Sequence, residues 1–222
     1  MVKRTSSPNR RNFLKTLAGS AAGAILFSGT RLFGGTTCDQ FGRCVSAVDF
    51  TEFAQEAYQQ QQMPEWCWAA CISMLFDFYG HAVSQDRIVT EVYGAPVNMP
   101  AGYGITIARQ LNRVWKDDSG NRFRAILTGA YDADARVNTL TNPMLIGELD
   151  GDHPMIIGAG SHAMVLTALQ YQATPMGPNV VGGGVFDPWP GRGARGLSRA
   201  ELFPVERGGS MRFVATARVQ DL

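Results

Sequence analysis

The chain has 222 residues, 45% hydrophobic and 18% charged, a composition that supports one good-sized globular core and excludes a disordered chain. Its net charge of +1 hides an asymmetry: residues 1–31 hold six of the 20 Lys and Arg residues and no acid, which leaves 14 bases against 19 acids, a net of −5. A mildly acidic body offers no electrostatic footprint for nucleic acid, and no apolar run of about 18 residues requires a membrane-spanning helix.

The chain opens on a basic head, Asn9-Arg-Arg-Asn-Phe-Leu-Lys15, followed by an Ala- and Gly-rich apolar stretch from Thr16 to about Ser28. The head and short apolar segment form an export signal, and the paired Arg10 and Arg11 resemble the twin-arginine type. The alternative, a basic tail before an ordinary helix, is weakened by Gly19, Gly23 and Gly29. Residues 1–35 are therefore expected to be signal and linker, and residues 36–222 a single domain. The twin-arginine export machinery is the expected partner, and the mature chain is expected to be periplasmic or secreted, with no stable membrane span once the signal is removed. No clean Ala-x-Ala cleavage site is present, which leaves cleavage or retention as an anchor open.

Cys38 and Cys44 enclose five residues. In an exported protein their default reading is a local disulfide, and a zinc pair, the alternative, lacks two further ligands at finger spacing. Thr51–Gln62 is polar and Gln-rich, compatible with a short helix, a loop or a removed pro-segment.

Cys67 stands between Trp66 and Trp68, with Gln61 six residues before it. A helix is predicted over about Trp66–Tyr79, stopped by Gly80, with Ala70, Met74 and Phe78 on one face. A thiol at a helix N-terminus is placed to ionise, because free N–H groups and the dipole stabilise a thiolate. The plain alternative is a small buried core residue. Cys71, one turn on, reads as a buried residue beneath. Ser84 is placed as N-cap of a helix Gln85–Tyr93 closed by Gly94, and a further helix is predicted over Ile105–Trp115. His81 reads as a surface or capping residue. Asp117–Asn121 is a turn.

Strands dominate the second half. Phe123–Thr128, Pro154–Ile157, Ser161–Tyr171, Val180–Phe186 and Met211–Val219 carry strand patterns, with a short element at Leu202–Phe203. Ala133–Leu149 is ambiguous, read as a helix over about Asp134–Thr141 and then a short element ending at Asp150-Gly151. Helices first and an antiparallel sheet after them define an α+β fold. His162 opens an apolar strand and Asp187 closes another, in Asp187-Pro-Trp. A lone His in such a place is more often structural, and Asp before Pro is commonly a turn former. Together with Cys67 they supply a nucleophile, a proton acceptor and a group to orient it. His153 and His81 are the rival histidines.

Gln61…Cys67-Trp-Ala-Ala, Ser161-His-Ala-Met-Val-Leu and Phe186-Asp-Pro-Trp resemble a papain-like cysteine peptidase. The likeness is to the compact bacterial branch that includes bacteriocin-processing exporter peptidases and plant-pathogen effector proteases, and it covers about residues 55–220. It implies a papain-like arrangement, with an N-terminal helical part carrying the cysteine helix packed on a C-terminal antiparallel sheet. It also implies Cys67 as nucleophile, His162 as general base, Asp187 as orienter and Gln61 as oxyanion donor, Gln62 being the alternative. The chain departs in lacking the Cys-Gly-Ser-Cys-Trp signature and in its Cys-to-His separation of 95 residues, against roughly 130–150 in the plant and lysosomal enzymes. A peptide or protein substrate is expected, with no metal and no organic cofactor. The competing readings are an acyl or amide transferase on the same site and an inactive binding module of this fold.

Overall fold

The apolar strand runs assemble into one sheet in the computed structural model, which describes residues 34–222. The basic head and apolar stretch read as an export signal lie outside the described residues. The elements in chain order are β1 (Gly35–Cys38), β2 (Arg43–Ala47), α1 (Phe50–Glu52, running into a wide turn Phe53–Ala57), α2 (Cys67–Phe78), α3 (Gln85–Tyr93) and α4 (Gly104–Gln110). They continue as β3 (Arg113–Lys116), β4 (Arg122–Asp132), β5 (Val137–Asn138), α5 (Asn142–Asp150), β6 (Met155–Ala159), β7 (His162–Gln172), β8 (Asn179–Asp187), β9 (Gly193–Gly196), α6 (Arg199–Leu202) and β10 (Met211–Asp221).

The strands run in the order β1-β2-β7-β6-β10-β4-β3, with β5 on β4, β8 on β7 and β9 on β8. All these ladders are antiparallel. The helices of the first half lie against this sheet, so the α+β, papain-like expectation holds. β7 is the hinge of the arrangement. Its first half pairs with β6 and its second half with β2, while β8 runs along it with Val165 opposite Phe186. That register sets the start of β7 beside the end of β8.

Helix α2 packs on β7 and β6, and α3 packs on α2. Every residue of α2 from Trp68 to Phe76 is buried, because the sheet covers one side and the Phe53–Ala57 turn and α3 cover the others. A helix apolar all round is a core helix, and this one forms the centre of the hydrophobic cluster. It stops at Gly80, whose φ of 84° closes a left-handed cap in which Gly80 N–H bonds Asp77 O and His81 N–H bonds Phe76 O. Gly94 closes α3 in the same region, at φ 77°. The Thr51–Gln62 segment is anchored to the core by Phe53, Ala57 and Tyr58: with Phe50 before it, Phe53 and Tyr58 pack their rings around Phe186, with centroids 4.7–5.4 Å away.

Four expectations are corrected. The helix predicted over Ile105–Trp115 ends at Gln110, and Arg113–Lys116 is strand β3. Asp117–Asn121 is a hairpin turn, so the residues before it pair with β4, Trp115 opposite Phe123, and the ladder overrides the one-turn helical spacing. No helix forms over Asp134–Thr141. Asp132 Oδ1 accepts the N–H groups of Asp134 and Ala135, Arg136 turns to φ 56°, and Val137–Asn138 folds back onto β4. The helix starts at Asn142 with Pro143 in its first turn. Leu202 ends a short helix, α6, and His81, expected at the surface, is buried against Phe123 between Asp117 and Asp221.

Candidate active site

Three elements deliver the three predicted side chains to one place. Cys67 is the first residue of α2, where the N–H groups of the first turn have no acceptor within the helix. His162 is the first residue of β7. It follows the two-residue hairpin Gly160-Ser161, both at positive φ (55° and 64°), that pairs Ala159 with His162. Asp187 is the last residue of β8.

His162 Nε2 and Asp187 Oδ1 lie 2.6 Å apart. The Cys67 side chain is the other neighbour that acts on the ring, and with Nε2 on Asp187, Nδ1 is the nitrogen left for sulfur. Cys67 Sγ accepts the N–H of Ala163 at 3.5 Å. Cys67 is half-buried, and Asp187 is fully buried. Trp189 sets its ring edge-to-face against His162, with centroids 6.2 Å apart.

The Asp187 carboxylate is saturated with donors. Oδ1 also accepts the Trp189 N–H at 2.9 Å, while Oδ2 accepts Arg195 Nε at 2.8 Å and Arg192 Nη1 at 3.4 Å. Burial alone would raise its pKa. The hydrogen bonds from His162, Trp189 and Arg195 prevail and hold it well below the usual carboxylate range. Burial likewise would lower the His162 pKa. The bonds to Asp187 and Cys67 outweigh it and raise that pKa to about 9, so the ring carries positive charge beside the thiol at neutral pH. Cys71, beneath Cys67, is fully buried, and burial pushes its thiol well up, away from reactivity.

Gln61 lies inside the site loop, only 6% exposed, while Gln62 is exposed. Gln61 Nε2 donates to the carbonyls of Met63 at 3.0 Å and Pro64 at 2.7 Å. Its Oε1 is buried with no donor among the described residues. Its backbone N–H bonds Pro188 O at 2.8 Å, and the Tyr58 hydroxyl bonds Asp187 O at 3.4 Å, so the Gln loop and the Asp187 turn are stitched together. Trp66 and Trp68 point their indole N–H groups at Val97 O (2.9 Å) and Met99 O (3.1 Å), which pins the loop after α3 next to the cysteine.

The rival histidines are elsewhere. His81 is held by Asp117 and Asp221, and His153 stacks on Tyr79 near Glu148. Cys38 and Cys44 form a disulfide across the β1–β2 hairpin, and Cys67 and Cys71 are free. No group of three or more His, Cys, Asp or Glu side chains among the described residues could hold a metal ion. Reading the sequence did not find Arg192 and Arg195. Their spacing after Asp187 carries no signal until β9 folds back along β8, Asp187 opposite Gly193.

A helix-borne cysteine facing a strand-borne His–Asp pair, on an α+β scaffold, defines the papain-like class. The chain belongs to the Peptidase_C39 like family, whose model matches residues 50–195, from α1 to Arg195 in β9. That membership supports a papain-like cysteine peptidase. No curated protein matches the chain significantly.

Proposed function

We propose that this protein is an exported peptidase that cleaves peptide bonds through an acyl-cysteine intermediate at Cys67. The 2.6 Å contact between His162 Nε2 and Asp187 Oδ1, which leaves Nδ1 for the neighbouring Cys67, carries this reading. Cys67 Sγ attacks the scissile carbonyl carbon, and His162 holds the thiol proton and delivers it to the leaving amine. Water then adds to the thioester with His162 taking its proton, and the free acid leaves. Asp187 keeps the imidazole in the tautomer that presents Nδ1 to sulfur.

The oxyanion forms at the N-terminus of α2, where the first-turn N–H groups converge. Gln61 joins them in this reading by turning one amide hydrogen from the Met63 or Pro64 carbonyl to the oxyanion. Such catalytic bonds tighten when substrate binds. A peptide-library cleavage screen, with Cys67→Ala as control, tests the activity. Cleavage by wild type and none by the variant supports it. Product transferred to an added amine with no free acid formed assigns the site to a transferase, and absence of both reactions leaves an inactive binding module.

The export route rests on Arg10 and Arg11. A disulfide among the described residues fits an oxidising destination, and no described helix is long and apolar enough to cross a membrane. Replacing both arginines by Lys should leave folded protein in the cytoplasm, and normal export of that variant would refute the route.

A further inference from the structure

Asp187 is held by a chain of side-chain bonds that runs away from the site. Arg195 spends all five of its N–H donors locally. Nε goes to Asp187 Oδ2 (2.8 Å), Nη1 to Gly196 O and Glu201 Oε2 (both 3.1 Å), and Nη2 to Glu201 Oε1 (2.7 Å) and Met164 Sδ (2.8 Å). Glu201 is itself locked. It closes a capping box with Ser198 at the start of α6, accepting the Ser198 N–H at 2.8 Å. A continuous line of bonds therefore runs from Ser198 through Glu201, Arg195 and Asp187 to His162.

We propose that Arg195, braced by Glu201, is a positioning residue that fixes the Asp187 carboxylate so that Oδ1 stays on His162 Nε2. The inference rests on the catalytic reading above. A buried carboxylate with one free oxygen could rotate about its Cβ–Cγ bond. The Arg195 Nε–H on Oδ2 and the Trp189 N–H on Oδ1 leave one orientation. Glu201 offsets the Arg195 charge through two contacts, so Arg195 passes orientation to His162 more than potential. Lysine cannot replace it, because a point charge cannot serve Asp187, Glu201 and Gly196 at once. Arg192, half-exposed and 3.4 Å from Oδ2, is a weaker second donor. The other groups facing the pair are Cys67, Trp189 and the Tyr58 hydroxyl.

The two roles differ in sign at His162. Losing a nearby positive charge would raise the imidazole pKa. Losing the hydrogen bond that Arg195 aligns would lower it, from about 9 toward the unperturbed 6.5. The test is a titration of ring-labelled histidine by NMR, manageable because the chain has three histidines. It is run on the mature protein as wild type, Arg195→Met, Arg195→Lys and Glu201→Gln, beside steady-state peptide cleavage. Arg195→Met should lower the His162 pKa and cut kcat by up to about a hundredfold with KM little changed. Arg195→Lys should rescue neither, and also serves if the Met variant does not fold. Glu201→Gln should show a smaller change of the same sign. A His162 pKa that stays near 9 or rises in both Arg195 variants would overturn the proposal, as would full rescue by Lys. A wild-type protein that cleaves nothing would sink the catalytic reading while leaving the titration intact as a test of the support.

Discussion

The side-chain oxygen of Gln85 accepts the backbone N–H of Gln62 at 3.0 Å, across 23 residues of chain. Its Nε2 donates to Gln60 O at 2.9 Å and to Gln59 Oε1 at 2.8 Å, and the whole residue is buried. One amide from α3 thus brackets Gln61 on both sides and decides which glutamine of the run turns inward.

Gln85→Leu should therefore weaken folding by about 1–3 kcal/mol, read from the denaturant midpoint, since it removes the three hydrogen bonds that the buried Gln85 amide makes to Gln59, Gln60 and Gln62. It should also lower turnover, because Gln61 loses its bracket. Gln61→Ala should reduce kcat on the order of a hundredfold, and Gln62→Ala should leave it near wild type. The reverse pattern would mean that Gln62 serves the oxyanion.

Cys67→Ala should abolish turnover, and His162→Ala should nearly do so. Asp187→Asn is expected to be severe, in the range of about 10²- to 10⁴-fold in kcat. All four contacts to the carboxylate come from donors, so an Asn amide must point its NH₂ at either His162 or Arg195. An Asn variant close to wild type would show that the carboxylate charge and its Arg195 contact are dispensable.

The pH profile should be broad on its alkaline side. His162 has a folded pKa near 9 against 6.5 when unperturbed, so its proton is retained through neutral pH and lost as pH rises through 9. Cleavage, which needs the ring proton for the leaving amine, should fall along that limb. The same bond stabilises the fold fully below pH 6.5, and that contribution fades as pH rises through about 9. An alkaline limb near 6.5 in wild type would contradict the His162–Asp187–Cys67 geometry.

Asp77, near the end of α2, has its pKa raised to about 7, first by burial and then by the nearby Asp118. The folded state holds that proton above 3.8, where the unfolded chain releases it, so the group costs stability progressively as pH rises to about 7. Asp77→Asn, which still accepts from Gln59 Nε2, should stabilise the protein at pH 8 by about 1 kcal/mol, the group being in partial contact with water. It should do little at pH 4, and urea titrations at the two pH values check this.

Alkylation of the folded protein without reductant should label Cys67 alone, and denaturation should add Cys71, as read by intact mass. Reducing the Cys38–Cys44 bridge should cost roughly 2 kcal/mol and lower the melting temperature. Two labels on the native protein would place Cys71 in reach of solvent.

The order Cys67, His162, Asp187 and the elements that carry them were legible in the chain because their signals are local. Gly80 and Gly94 follow helical runs and take the left-handed conformation that closes them, the Gly160-Ser161 pair makes a tight turn, and long β-branched runs form strands. What the linear text could not supply depends on partners far along the chain. Arg113–Lys116 became a strand because β4 offered its edge, and His81 sank into the core because Asp117 and Asp221 closed on it. Gln61 turned inward because Gln85 held its neighbours. Arg195 reached Asp187 only when β9 folded back along β8 with Glu201 behind it. Local sequence sets φ and ψ preferences residue by residue. A buried charge or amide is instead placed by the donors and acceptors that surround it, and tertiary packing alone brings those together.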